Sequence, residues 1–75
     1  MRIRKTVERL REGDFVAEVE VELLMDDPPD SGWGPYLSLA DARKVETVRE
    51  ALRKGDVAAA SAVARVYRLL PVSAA

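Results

Sequence analysis

Carboxylates are the most conspicuous chemical groups in this chain. Glu18, Glu20 and Glu22 recur at every second position, and Asp26, Asp27 and Asp30 surround a Pro28-Pro29 pair. Carboxylate oxygens suit hard cations such as calcium or magnesium. The string Asp26-Asp27-Pro28-Pro29-Asp30 lacks the alternating spacing of a calcium loop, so a solvated acidic loop is the simpler reading. There is no histidine and no cysteine. The commonest general base and metal ligand is therefore missing, and so is any thiolate. Ser31, Ser38, Ser61 and Ser73 sit in no G-x-S-x-G nucleophile elbow. Gly32 and Gly34 flank Trp33, whose bulk would keep a phosphate from the backbone. The residues predict no enzyme, no metal and no cofactor. Recognition is the chemistry left to consider.

For recognition, Gly32-Trp33-Gly34-Pro35-Tyr36 stands out, because it holds two of the chain's four aromatic residues. The glycines free the backbone on either side of Trp33, and Pro35 fixes the next turn. Two readings fit. Trp33 and Tyr36 fold over the open end of a core made of alanine and valine, supplying area that it lacks. Alternatively they are anchors shown to a partner, since both residue types are enriched among interface hot spots.

These side chains need elements to hold them. Residues Phe15 to Leu23 alternate strictly, with Ala17, Val19, Val21 and Leu23 on one face and the three glutamates on the other. Upstream, Arg2 to Arg11 alternates less cleanly, with Ile3 and Val7 on one face. Glu12-Gly13-Asp14 supplies the turn of an antiparallel hairpin over about residues 2–25. The acidic loop follows over about 26–37. Ser38 and Asp41 form a capping-box pattern ahead of a helix over about 39–54. Gly55 ends that helix, and Asp56 caps a second one over about 57–64. The second helix is nearly all small residues and is expected at the centre of the core. The last stretch fits a helical stripe, but its β-branched and aromatic content favours a strand over about 66–70 that joins the hairpin. The expected fold is one α+β domain over residues 1–75, in the order ββααβ.

Charge follows the hairpin. Residues 1–13 hold five basic and two acidic side chains, and residues 14–31 hold seven acidic and none basic. Either the hairpin face neutralises itself through cross-strand pairs, or a basic edge and an acidic ridge meet a charged partner. Arg2, Arg4, Arg9 and Arg11 are the candidates to reach the glutamates. The net charge of −1 argues against a general nucleic-acid binder. No stretch approaches the ~20 apolar residues of a membrane span, and the N-terminal residues have no apolar run of a secretory signal. A cytoplasmic location with no membrane association is expected. A chain of 75 residues without disulfides has a thin core. A protein partner or a second copy, as in a homodimer, would complete it.

A helix-turn-helix reading over Ala51 to Ala64 meets an obstacle. Ala51 stands four before the turn glycine, as that unit expects, but Ser61 and Ala64 occupy positions where it wants apolar residues. No Arg, Lys, Asn or Gln precedes Arg65 in the would-be recognition helix, so direct base readout lacks its donors. Arg2, Arg4 and Lys5 leave some room for a strand-type DNA reader, against repulsion from the glutamates.

The stretch Gly32-Trp33-Gly34-Pro35-Tyr36-Leu37-Ser38-Leu39-Ala40-Asp41-Ala42 has a familiar form, as do Val48-Arg49-Glu50-Ala51-Leu52-Arg53-Lys54-Gly55-Asp56, Ala64-Arg65-Val66-Tyr67 and Pro71-Val72. Together they resemble a widespread group of short bacterial proteins. That group is similar to the antitoxin partners of two-gene toxin–antitoxin modules. The resemblance spans Gly32 to Val72, and the hairpin before it is generic. It implies a cytosolic protein without enzymatic activity that binds a small protein partner. On this reading the chain is an antitoxin-like inhibitor of a small basic toxin. Glu18, Glu20, Glu22, Asp26, Asp27 and Asp30 would face the basic surface, with Trp33 and Tyr36 as anchors. The alternatives are a dimeric DNA-binding transcription regulator and a structural subunit of a larger assembly.

Overall fold

The computed structural model describes residues 2–25 and 36–73. Asp26, Asp27, Asp30 and Trp33 lie outside the described residues. The elements are β1 (Arg2–Glu12), β2 (Phe15–Met25), β3 (Tyr36–Leu37), α1 (Leu39–Arg53), α2 (Val57–Val63) and β4 (Arg65–Arg68). The fold is α+β, a four-stranded antiparallel sheet with two helices.

The hairpin forms as its alternation predicts. β1 and β2 pair without a bulge from Arg2↔Met25 to Glu12↔Phe15. Gly13 takes φ +59°, a conformation that a side chain would strain. β2 is the hub of the sheet. Its other edge pairs with β4 over Phe15–Glu18 and with β3 at Leu23 and Leu24.

In α1, Val45, Val48, Ala51 and Leu52 recur at helical spacing and are buried. They pack on Leu10, Ala17, Val19 and Val21 of the hairpin and on Ala60 of α2. Val19 and Val48 are fully buried at the centre. Burying one such side chain contributes about 1.5–3 kcal/mol. The Ser38 hydroxyl accepts the Asp41 N–H at 3.1 Å and caps the helix. Gly55 follows the C-cap residue at φ +78°. Asp56 caps α2 by accepting the Ala59 N–H at 3.1 Å.

Five expectations change. The first helix closes at Arg53 rather than at residue 54, with Lys54 as its C-cap. Tyr36–Leu37, placed in the acidic loop, is a short strand held by Leu23 and Leu24. The last strand runs Arg65–Arg68 rather than 66–70, because Ala64 is already extended at the end of α2. Beyond it the Leu69 N–H still donates to the Asp14 carbonyl at 2.6 Å. The second helix closes at Val63 rather than at residue 64. It also lies at the margin of the core, not at its centre: Ala60 is its only buried residue. The bulk of the core comes instead from the valines of β2 and α1.

Candidate protein-binding face

Register assigns the faces of the sheet. Thr6, Glu8 and Leu10 stand opposite Val21, Val19 and Ala17, so they share the helix-covered face. Ile3, Lys5, Val7, Arg9 and Arg11 stand opposite Leu24, Glu22, Glu20, Glu18 and Val16 on the other face. Tyr36 opposes Leu24 and Tyr67 opposes Val16, which brings both tyrosines to that second face. The buried faces of both helices pack on the opposite side, while Lys44 of α1 and Val63 of α2 reach the edge of this one.

This open face is half apolar and half charged. Ile3, Val7, Tyr36 and Tyr67 are 46–56 % exposed. The three glutamates form a line along β2 between the two tyrosines. Arg9 Nε donates to Glu18 Oε2 at 2.9 Å, across a directly opposed pair. That bond is the main reason the Glu18 carboxyl titrates below its ordinary value of 4.5. Partial desolvation opposes it, while the Arg9 charge, the Tyr67 hydroxyl and the Arg65 charge add to it. Glu20 and Glu22 have no ion pair among the described residues. The face therefore neutralises itself at one position and leaves two carboxylates unpaired.

The other arginines expected near the glutamates are placed elsewhere. Arg2 and Arg4 oppose Met25 and Leu23 on the helix side, and Arg11 donates to the Gly13 carbonyl at 3.2 Å.

A gap interrupts the sheet beside the glutamates. β4 stops at Glu18 and β3 begins at Leu23, so among the described residues β2 has no strand neighbour between them on that side. Helix α1 fills the gap with side chains. Asp41 accepts the Glu22 N–H at 2.8 Å, and Lys44 Nζ donates to the Glu20 carbonyl at 2.8 Å. The capping box is thus half formed: Ser38 caps the helix, but Asp41 turns to the strand. Two grooves of about 330 and 480 Å³ share Val7, Glu20 and Lys44 here.

The chain matches no family model, no curated protein and no solved structure.

Of the residues expected at the site, Glu18, Glu20, Glu22 and Tyr36 come together on the open face. Sequence reasoning missed Tyr67, Ile3 and Val7. The signal for Tyr67 was present: in Arg65-Val66-Tyr67-Arg68, a strand that buries Val66 must turn Tyr67 the other way. Among the described residues no three acidic side chains gather as a metal site. No described helix is long and apolar enough to cross a membrane.

Proposed function

We propose that this chain is a non-enzymatic protein-binding module, an antitoxin-like inhibitor that neutralises a small basic toxin in the bacterial cytosol. The observation that carries the reading is the open sheet face. Two half-exposed tyrosines bracket the unpaired Glu20 and Glu22. Aromatic side chains give binding area at low entropic cost, and they are enriched among hot spots. Unpaired carboxylates between them speed encounter with a basic surface and fix its orientation. Trp33, Asp26, Asp27 and Asp30 precede Tyr36 in the chain and belong to the same proposed interface.

The regulator alternative draws less support. Arg49 and Arg53 of α1 are held by Glu46 and Glu50, with Glu12 also near Arg53, so fewer helical cations are free for phosphate. The exposed side of α2 offers Ala58, Ala59, Ser61 and Ala62, with no Arg, Lys, Asn or Gln for bidentate contacts to base edges.

The test is recovery of a partner by the tagged chain from its native cytosol. One small basic protein should appear in near-equal amount. Expressed alone it should arrest growth, and co-expression of this chain should relieve the arrest. A face variant, Glu20→Lys with Glu22→Lys, should lose both effects. A recovered protein that does not arrest growth would reject the inhibitor reading.

A further inference from the structure

We propose that the free edge of β1 pairs antiparallel with the same edge of a second copy of this chain, about a two-fold axis through Thr6. The inference concerns the backbone edge that borders the open face and does not depend on the toxin reading.

Among the described residues β1 has a strand neighbour on one side only. It is eleven residues long, pairs with β2 without a bulge and contains no proline. Edges of this kind accept another strand unless they are blunted. The direction of its backbone groups follows from β2. Glu20 and Glu22 turn their backbone toward α1, where Lys44 and Asp41 meet it. The odd-numbered residues of β2 therefore bond β1, through the even-numbered residues of β1. Ile3, Lys5, Val7, Arg9 and Arg11 are left with their N–H and C=O groups on the outer edge.

That parity restricts self-pairing to registers centred on a residue, and charge selects among them. Centred on Lys5, the register sets Lys5 against Lys5 of the second copy. Centred on Val7, it sets Lys5 against Arg9, and centred on Glu8, Lys5 against Arg11 and Glu8 against Glu8. Centred on Thr6, no like charges oppose. Arg4 then faces Glu8 of the second copy, twice by symmetry, with Ile3 opposite Arg9 and Lys5 opposite Val7. Opposite charges across strands stabilise pairing and like charges oppose it. The exposed Ile3 and Val7 come to the seam, and the two sheets become one. An acidic strand from another protein could also meet the basic edge, but it would not make Arg4 and Glu8 complementary to each other.

The chain has no cysteine, so a single introduced thiol reports geometry without background. In the proposed register Thr6 faces itself across a non-hydrogen-bonded pair, at about 4.5 Å between Cα atoms, within disulfide reach. Glu8 lies roughly 14 Å from its counterpart, four residues along the strand. The full chain should sediment as a dimer at about 100 µM. Thr6→Cys should oxidise to a linked dimer at least about tenfold faster than Glu8→Cys. Glu8→Arg should weaken the dimer by about tenfold or more, and Arg4→Glu with Glu8→Arg should restore it. A monomer under these conditions would overturn the proposal and leave the edge to an acidic strand of a partner. So would equal linking at positions 6 and 8, or a charge swap that fails to rescue a variant still folded by circular dichroism.

Discussion

The Asp41 carboxylate accepts the Glu22 amide at 2.8 Å, across the gap where β2 has neither β3 nor β4 beside it. One turn further along α1, Lys44 serves the Glu20 carbonyl in the same way. The helix therefore supplies two side chains where a sheet would ordinarily supply a strand. Removing either leaves a backbone group to water rather than buried, so the cost is moderate. Asp41→Ala should destabilise by about 1–2 kcal/mol, the worth of a charge-assisted hydrogen bond. Thermal unfolding should show this as a loss of about 5 °C or more. An unchanged midpoint would mean that the bond contributes nothing net.

The core gives a sharper contrast. Val48 is fully buried against the hairpin, and Val48→Ala should cost about 2 kcal/mol through lost transfer energy and the cavity left behind. For a chain of this size that is a large share of total stability. On α2, Ala60→Leu should destabilise by about 1–3 kcal/mol through overpacking, whereas Ala59→Leu, at an exposed position, should stay within about 0.5 kcal/mol. Urea unfolding of the three variants checks both statements. Equal effects at positions 59 and 60 would contradict the shallow seating of α2.

Acid should weaken the sheet at Glu18. Its carboxyl is held below 4.5 chiefly by the hydrogen bond from Arg9, so folding favours the ionised form. A depressed value contributes stability that is complete above the unfolded value and is lost as pH falls through the lower folded value. The stability difference between the native chain and Glu18→Gln should be steady well above pH 4.5 and should shrink toward zero below it. A difference independent of pH would show that the Arg9 contact does not discriminate between the two forms.

For partner binding, the tyrosines should matter more than the acids. Tyr36→Ala and Tyr67→Ala should each weaken the complex by about 30-fold or more, the cost of a hot spot of about 2 kcal/mol. Trp33→Ala should do the same. Glu20→Ala should slow association and reduce affinity by only a few-fold. Calorimetry and stopped-flow binding separate the two effects, and comparable losses for the tyrosines and Glu20 would remove the anchor roles.

Most of the architecture is legible in the sequence because it is locally encoded. The alternation from Phe15 to Leu23, Gly13 in the turn, Ser38 and Asp56 as caps and Gly55 after α1 each act within a few residues. What is not legible depends on distant partners. Tyr36–Leu37 is a strand only because Leu23 and Leu24 lie beside it. Asp41 reads as a capping residue until β2 offers it an amide. β1 misleads for another reason. Its apolar Ile3 and Val7 lie on the uncovered face, while the covered face of the same strand holds Thr6, Glu8 and only one apolar residue, Leu10. At the candidate site, the line of glutamates was readable, but Tyr67 joins it only through its register with Val16.

β4 brings a matter of timing to the fold. Its partners, Phe15 to Glu18, are synthesised well before its own residues. A nascent chain can close the hairpin and wind α1 long before Arg65 appears. Until then Phe15 to Glu18 of β2 lack the strand they pair with on that side. Pairings distant in sequence form slowly, and unpaired edges are where chains associate wrongly. The newborn protein therefore passes through an interval in which a neighbour's strand could take the place that β4 will fill.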